Sequence, residues 1–236
     1  MHDTAFDNGK RFFTTYCEGN EQLTIVDIGS QNVNGSLKEC SPAKATYIGV
    51  DFAKGKGVDV LLTDPYKLPF NDNSVDIVVS SSVFEHSEMF WVLFLEVLRV
   101  LKNDGIFYLN VPSNGDFHRY PVDCYRFYPD SGNALAKWAN HNGLNTAVLE
   151  SYICKQRADI WNDFVCVFIK DKIHAEKYPA RILHSFRDFI NGFVFPNNNT
   201  LLNVQVTTQD QSTLGWKISK RINRTINGPL GRNRPG

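Results

Sequence analysis

Three aspartates follow short apolar runs in the first third of the chain, and their types and spacing suggest a common ligand site. Asp27 directly follows the run Leu-Thr-Ile-Val, and Asp51 directly follows Thr-Tyr-Ile-Gly-Val. Asp64 lies in the loop after a third run, Val-Asp-Val-Leu-Leu. Carboxylates accept hydrogen bonds from ammonium groups, hydroxyl pairs and amines. Three of them at successive strand ends could hold one ligand that carries an ammonium group, a ribose diol and an exocyclic amine.

The elements that must position these carboxylates follow from the same apolar runs. Each run is short, β-branched and bounded by turn residues, which is typical of a buried strand. Strands are predicted at about 23–28, 45–50, 58–62, 75–79 and 106–111, followed by an antiparallel pair at 146–153 and 164–169. Helices are predicted over the first 20 residues, near 37, and over 87–102, 131–142 and 173–193.

This alternation predicts an α/β fold, because strands separated by helices form parallel sheets. We expect a Rossmann-like, seven-stranded, mostly parallel sheet with an antiparallel terminal strand pair and helices on both faces. Such sheets bind ligands outside the carboxyl ends of their strands, where Asp27 and Asp51 lie. We divide the chain into an N-terminal lead-in helix (1–20), the sheet domain (21–172) and a C-terminal extension with a basic, flexible tail (173–236).

Composition excludes several classes of protein. The chain has 236 residues, 42% of them hydrophobic, and a formal net charge of zero, which supports one well-filled domain and argues against nucleic acid as a partner. The five cysteines are scattered without C-x-x-C spacing, so no metal site or disulfide framework is expected and a reducing compartment is favoured.

Membrane insertion and secretion are not expected either. The amino terminus has no basic and apolar segments of a signal peptide, and the longest apolar stretch, 89–101, is too short to cross a bilayer. We therefore expect a soluble, cytoplasmic protein without a transmembrane segment. A homodimer is an open possibility through the sheet edge.

The loop after the first strand indicates which nucleoside-like ligand fits. It reads Asp-Ile-Gly-Ser-Gln-Asn-Val-Asn-Gly, so only Gly29 and Gly35 are available where a dinucleotide site uses G-x-G-x-x-G to approach a pyrophosphate. This loop favours a ligand without phosphate and with a cationic end. The ammonium, ribose and adenine amine of S-adenosylmethionine match the three carboxylates.

The order of motifs VDIGS, IGVDF, TDPYKLPF, DIVVSSSVFEH and LRVLKNDGIFYLNVPS, between about residues 23 and 113, resembles class I S-adenosylmethionine-dependent methyltransferases of the small-molecule, type 11-like kind. The resemblance implies S-adenosylmethionine as cofactor and S-adenosylhomocysteine as product. It implies the following cofactor contacts: Asp27, Gly29, Ser30 and Gln31 at the methionine end, Asp51 and Phe52 at the ribose and adenine, Asp64 and Pro65 beside the adenine, and Ser80 beneath the cofactor. The first loop departs from the family, which usually has more glycines there.

The acceptor side is predicted from the residues after strands four and five. A hydroxyl acceptor benefits from a general base, and the candidates are His86 and the pair His118 and Asp123. The loop 112–129 is dense in aromatic and hydrogen-bonding groups and is expected to form a substrate wall. Its candidate substrate-binding residues are Arg119, Tyr120, Tyr125 and Arg126, and the two arginines could hold a phosphate or carboxylate.

The predicted function is methyl transfer to a small-molecule acceptor, with a hydroxyl of a sugar or nucleotide-linked sugar in bacterial surface-glycan biosynthesis as the preferred substrate. Two alternatives stay open. One is a catalytically inactive methyltransferase-like module that binds or assembles other components. The other is a nicotinamide-dependent oxidoreductase, against which the missing phosphate-binding glycines count.

Overall fold

The computed structural model describes residues 3–19, 22–155, 161–208, 215, 218, 221 and 222, with the backbone alone at 198 and 199. Of the basic residues in the predicted tail, Arg221 is the one that the described residues include. The chain divides into a compact unit, Met1–Val204, and a second unit, Gln205–Gly236. All of the strands described below belong to the first unit.

The first unit contains nine strands, four α-helices and three short 3₁₀ helices within its described residues. The strands are β1 (Thr24–Ile28), β2 (Thr46–Asp51), β3 (Val60–Leu61), β4 (Val75–Ser81), β5 (Leu101–Pro112), β6 (Ala147–Cys154), β7 (Asp163–Ile169), β8 (Phe189–Val194) and β9 (Asn197–Leu202). The α-helices are α1 (Asp3–Tyr16), α2 (Phe90–Val100), α3 (Ser131–His141) and α4 (Ile182–Ser185). The 3₁₀ helices are Leu37–Cys40, Phe84–His86 and Lys172–Lys177.

The strands form one sheet in the order β3-β2-β1-β4-β5-β7-β6-β8-β9. The first five pair in parallel, and every pairing from β5 to β9 is antiparallel. The predicted α/β class, with a mostly parallel sheet and an antiparallel terminal pair β6–β7, is confirmed. Because β1, β2 and β4 run in the same direction, their carboxyl ends meet at one edge of the sheet.

The sheet has nine strands rather than seven, and this corrects the helix predicted over 173–193. That segment forms a 3₁₀ helix, the single turn of α4 and then β8, which pairs with β6. Phe189, Ile190 and Phe193 are buried in β8. The long antiparallel strand β6 offers its free edge to this segment, and burial of large apolar side chains there outweighs local helix propensity.

The boundary between α2 and β5 also differs from the prediction. The helix ends at Val100, and β5 begins at Leu101, so residues 103–105 lie in the strand and do not form a turn before it. Val75 pairs with Leu101 but Ile77 pairs with Ile106, so the β5 residues between these pairs form a bulge. Gly105 fits the bulge because a Cβ atom there would lie 2.8 Å from the carbonyl oxygen of Asp76.

Two apolar layers hold the sheet, one on each face. On one face, Phe12 of α1 packs on Tyr108 of β5 with ring centroids 4.6 Å apart. On the other face, Phe94 of α2 packs on Phe168 of β7 at 4.8 Å. All four rings are fully buried, and each such side chain contributes roughly 1.5–3 kcal/mol by its burial. The strand ends that carry the site are therefore anchored on a rigid core.

Candidate cofactor and acceptor site

A cavity of about 570 Å³ opens at the carboxyl ends of β1, β2 and β4. Its size is within the range of sites for small ligands. It is lined by Leu93 of α2 and by residues of four segments: Asp27–Leu37 without Asn32, Asp51 to Tyr66 in part, Ser81–Glu88 in part, and His118–Val122. The segments contact one another around the cavity: Tyr120 of the fourth segment bonds to Gln31 of the first.

The loop after β1 turns sharply at Gly29, which has φ +75°. The backbone N–H groups of Gly29 and Ser30 both donate to the carbonyl of Val50, at 2.9 and 3.2 Å, and so tie the loop to the end of β2. A Cβ atom on Gly29 would lie 2.1 Å from Cγ2 of Val83, which also lines the cavity. Glycine is required here both for the left-handed backbone and for the close approach of Val83.

Asp51 is buried at the end of β2 and is held from both sides. Its Oδ2 accepts from the N–H of Gln31 at 3.2 Å, and its Oδ1 accepts from the N–H of Ala53 at 2.9 Å. Each oxygen keeps a further lone pair that can accept a ligand hydroxyl. Phe52, the next residue, is 52% exposed and lines the same cavity, so it offers an aromatic face beside the carboxylate.

Asp27 lies at the end of β1, next to Asp51, and its carboxylate accepts from the hydroxyl of Tyr47 at 2.7 Å. Burial raises the pKa of Asp27 to about 7, the hydrogen bond from Tyr47 lowers it, and the charge of Asp51 raises it. A cationic group bound in the cavity would favour the ionised form. The site is therefore electrostatically suited to a ligand with an ammonium or sulfonium group.

The structure brings most of the predicted site residues to this one cavity. The following predicted residues line it: Asp27, Gly29, Ser30, Gln31, Asp51, Phe52, Pro65, His86, His118, Arg119 and Tyr120. The sequence analysis missed several other lining residues, among them Ser81, Ser82, Val83 and Tyr66. Each of them lies at or after the end of β3 or β4. This position at a strand end was the sequence feature that could have identified them.

Two predicted cofactor residues are placed outside the cavity lining. Asp64 is exposed, and its Oδ1 accepts from the N–H of Tyr66 in a local turn. Ser80 is fully buried within β4, where it pairs with Ile28, and Ser81 lines the cavity instead. Successive side chains along a strand point to opposite faces of the sheet, so Ser80 and Ser81 cannot both face the cavity.

His86 and His118 meet at the wall formed by the loops after β4 and β5. Their rings are perpendicular, with centroids 4.9 Å apart. Nδ1 of His86 lies 2.5 Å from the carbonyl oxygen of Val122, and Nδ1 of His118 lies 3.1 Å from that of Asp116. A carbonyl can only accept, so Nδ1 of each ring donates, and Nε2 carries the lone pair in the neutral ring. Burial lowers the pKa of His86, which favours this neutral form.

Asp123 organises the loop that carries His118. It accepts from the N–H of His118 at 2.7 Å and from both terminal nitrogens of Arg126, at 2.6 and 2.9 Å. The guanidinium of Arg126 lowers the pKa of Asp123 to about 2. The Asp123 carboxylate lies outside the cavity lining, 3.5 Å from Nδ1 of His118.

Tyr125 and Arg126, predicted to bind substrate, line a different cleft. This second cavity of about 400 Å³ lies between α2 and α3 and includes Trp91 and Trp138. Arg126 also donates to the carbonyls of Tyr125 and Asp116, at 2.8 and 2.7 Å. Its guanidinium is thus engaged by the loop itself, which corrects the expectation that it stands ready for an anion.

The loop after β5 also reaches across to the loop after β1. The hydroxyl of Tyr120 donates to Oε1 of Gln31 at 2.6 Å. Gln31 in turn donates from its side chain to the carbonyl of Lys54 at 3.2 Å. Three separate loops are therefore linked over one side of the cavity.

Glu85 is a buried acid that the sequence analysis did not single out. It has no solvent exposure, and neither carboxylate oxygen has a hydrogen-bond partner among the described residues. Burial raises the pKa of Glu85 to about 8. Glu85 directly precedes His86, a predicted base, in the sequence. Its burial comes from tertiary structure, because the loop after β5 packs against it.

The strand order and the position of the cavity define a Rossmann-like domain that binds its ligand at the carboxyl edge of the sheet. Comparison with known proteins identifies the family that this domain resembles. Residues 8–109 match the family model described as a methyltransferase domain. An uncharacterized methyltransferase of Mycobacterium tuberculosis is 33% identical over 120 residues, which cover 46% of each chain. The chain thus spans just under half the length of the curated relatives it matches.

Solved structures support the fold at low sequence identity. A Burkholderia thailandensis 1,6-didemethyltoxoflavin-N1-methyltransferase, solved with 1,6-didemethyltoxoflavin and S-adenosylhomocysteine, superposes with a TM-score of 0.55 at 12% identity, over 72% of this chain and 80% of that one. A Haloferax volcanii methyltransferase in complex with its Trm112 activator gives 0.51 at 19% identity, over 71% and 89%.

The match over residues 8–109 and the 33% identity to the mycobacterial methyltransferase confirm the expected resemblance to S-adenosylmethionine-dependent methyltransferases of class I. Among the described residues, no helix has the length and apolar character needed to cross a membrane.

Proposed function

We propose that this protein transfers a methyl group from S-adenosylmethionine to a small-molecule acceptor. One observation carries the proposal: Asp27, Asp51 and Phe52 line a single cavity at the sheet edge beside a loop poor in glycine. This set offers a carboxylate for an ammonium group, a carboxylate for a ribose diol and an aromatic face for adenine. It offers no glycine-rich cradle for a pyrophosphate, which a nicotinamide dinucleotide would need.

The residues fit the cofactor by chemistry as well as by position. Asp27 would hold the ammonium group, and the raised pKa means that a cationic ligand and the ionised carboxylate stabilise each other. Asp51 would accept both ribose hydroxyls, and Asp64 would reach the adenine amine from the rim beside Pro65. When bound, S-adenosylmethionine would supply a methyl group attached to a positively charged sulfur. The neutral thioether, S-adenosylhomocysteine, is the leaving group.

The chain's own contribution is then to position the acceptor and to accept its proton. Correct alignment of two reactants is a large catalytic effect. His86 and His118 line the same cavity as Asp51, and in its neutral form each ring would carry a lone pair at Nε2 that could accept a hydroxyl proton. A positioned base contributes roughly 10²–10⁴-fold. Asp123 would act by fixing the loop of His118.

We further propose a hydroxyl of a sugar or nucleotide-linked sugar as the methylated group. Arg119 is exposed and lines the cavity, and its Nε donates to the carbonyl of Pro121 at 3.1 Å, so its terminal nitrogens would be the groups that bind a phosphate. Cys17, Cys40, Cys124 and Cys166 are thiols that form no disulfide bond, which supports a reducing compartment, and we propose a cytoplasmic location. The homodimer stays a prediction.

The test compares cofactors first and acceptors second. Isothermal titration calorimetry should detect binding of S-adenosylhomocysteine and no binding of NAD; the reverse result would favour the oxidoreductase. Transfer from methyl-labelled cofactor to a panel of sugars and nucleotide-linked sugars should then identify a product. Tight cofactor binding without transfer to any small molecule, in the panel or in a metabolite extract, would favour the inactive binding module.

His118→Asn provides the matched variant for the catalytic wall. It should leave the affinity for S-adenosylhomocysteine unchanged and lower turnover by about 10²-fold or more if the imidazole acts on the acceptor. His141→Asn is the control, because His141 is exposed at the end of α3, away from the cavity. Equal turnover in the two variants would remove His118 from the mechanism.

A further inference from the structure

The carboxylate of Glu85 is buried without a counter-charge bound to it. Both of its oxygens lack a hydrogen-bond partner among the described residues, although the backbone carbonyl of Glu85 accepts from the N–H groups of Cys124 and Tyr125, at 2.7 and 3.2 Å. Arg126 attracts the carboxylate, but its terminal nitrogens donate to Asp123 and to loop carbonyls, and its buried Nε forms no hydrogen bond with Glu85. A buried carboxylate in this state is strongly unfavourable unless it is protonated or meets a cation.

Two imidazoles lie beside this carboxylate. Oε1 of Glu85 is 3.8 Å from Nε2 of His86, and one ligand atom from each of Glu85, His86 and His118 lies within 4.8 Å of the other two. The two Nδ1 atoms are held by the carbonyls of Val122 and Asp116. A backbone carbonyl on the far nitrogen is the arrangement that orients metal-binding histidines and fixes their tautomer.

We propose that Glu85, His86 and His118 bind one first-row divalent transition-metal ion at the wall of the cavity. Two imidazole nitrogens and one carboxylate oxygen are a typical donor set for zinc and for other first-row ions, whereas magnesium and calcium prefer oxygen donors alone. This site differs from the sequence-based expectation of no metal, which was drawn from cysteine spacing and did not consider a site built from two separate loops.

Small side-chain movements would complete the coordination. Metal–ligand bonds of about 2.0–2.2 Å place neighbouring donors roughly 3–3.5 Å apart, so the three groups would close by about 1 Å. His86 and His118 line the cavity, and Glu85 lies behind them. A three-residue site leaves positions open toward the cavity, as in catalytic metal sites.

The ligand for the open positions would be a hydroxyl or a vicinal diol of the acceptor, and this part rests on the proposed function. A coordinated hydroxyl would lose its proton to solvent water more readily, because the ion stabilises the alkoxide that then attacks the methyl group. In the metal-bound protein the two histidines would therefore act on the acceptor through the ion rather than as free bases. The metal binding itself does not depend on methyl transfer.

Cobalt(II) is the probe, because its visible absorption reports coordination directly. Full-length untagged protein, stripped with a chelator, should bind one equivalent of Co²⁺, with visible bands of a low-coordinate nitrogen and oxygen site and without a thiolate charge-transfer band. Glu85→Gln and His118→Asn should each weaken binding by about tenfold or more. His141→Asn and Cys124→Ser, at exposed residues, should bind like wild type.

The outcomes separate this site from the cofactor site. No stoichiometric Co²⁺ binding by wild type, binding unchanged in either Glu85→Gln or His118→Asn, or binding lost in Cys124→Ser would overturn the proposal. Circular dichroism checks that each variant is folded; His118 is at the cavity surface, so its variant keeps the test informative if Glu85→Gln unfolds. Affinity for S-adenosylhomocysteine, measured on the same samples, should be unchanged, and its absence in wild type would refute the proposed function while leaving the metal result intact.

Discussion

The replacement of Asp51 by asparagine tests the cofactor site with the least change of shape. In the structure, each carboxylate oxygen accepts one backbone N–H, from Gln31 and from Ala53, and each has one further lone pair for a ribose hydroxyl. The amide keeps one acceptor oxygen and turns an NH₂ group toward one of the two backbone donors. The variant therefore loses the charge, one ribose hydrogen bond and one internal hydrogen bond.

The size of the effect follows from this count. A hydrogen bond to a charged group contributes about 1.5–3 kcal/mol, so the dissociation constant of S-adenosylhomocysteine should rise about 10- to 100-fold. The lost internal bond should lower the free energy of unfolding by about 1 kcal/mol. Calorimetric titration measures the first quantity, and urea unfolding followed by circular dichroism measures the second.

Asp76→Asn is the matched control for Asp51→Asn. Asp76 also accepts a backbone N–H next to a strand, that of Thr24 at 2.9 Å, and it forms an ion pair with Lys102. It lies near the start of β4, at the opposite end of the parallel strands. Its variant should lose stability but keep cofactor affinity. An equal loss of affinity in both variants, or none in Asp51→Asn, would refute the assignment of Asp51 to the ribose.

Three further predictions concern residues that line the same cavity. The pKa of Asp27 is raised to about 7, so its ionised fraction grows as the pH rises from 6 to 8, and affinity for S-adenosylhomocysteine should increase about tenfold over this range. Gly29→Ala should lower the free energy of unfolding by about 2–4 kcal/mol, because alanine is strained at φ +75° and its Cβ meets Val83; chemical denaturation measures this. Tyr120→Phe, which loses the hydrogen bond to Gln31, should raise the cofactor dissociation rate about 2- to 10-fold in stopped-flow experiments.

Each of these predictions has its own control. Asp27→Asn should remove the pH dependence of affinity, and a dependence that persists would assign it to another group. Gly143→Ala, at φ +86° with open space around the added Cβ, isolates the backbone strain, so it should destabilise less than Gly29→Ala. Tyr128→Phe, at an exposed tyrosine outside the cavity lining, should leave the dissociation rate unchanged; equal rates in the two tyrosine variants would remove the loop contact from cofactor retention.

Most of the parallel half of the sheet could be predicted from the chain. The runs that end at Asp27 and Asp51 are apolar and β-branched, and the segments between strands are long enough for crossover connections, which have one preferred hand. These local features place both carboxylates at the same sheet edge. The prediction of the fold class and the common position of the first two carboxylates therefore needed no tertiary information.

Other features depended on partners that are distant in the chain. The segment at 189–194 becomes a strand because β6 presents a free edge to it, and no local pattern marks that edge. Ser80 was predicted to contact the cofactor, but Ser81 lines the cavity. Neighbouring side chains along a strand point to opposite faces of the sheet, so an error of one residue selects the wrong face. Arg126 was expected to bind substrate, but its guanidinium donates hydrogen bonds to the carboxylate of Asp123.

The amino-acid sequence by itself determined the class of fold and the sheet edge at which ligands bind, because hydrophobic periodicity and strand direction are local properties. Only the tertiary structure decided the electrostatic state of the site. The loop after β5 packs over Glu85 and brings His118 to His86, and the walls around Asp27 remove it from water. Desolvation and the distances between charges depend on how separate segments pack, and no spacing along the chain specifies them.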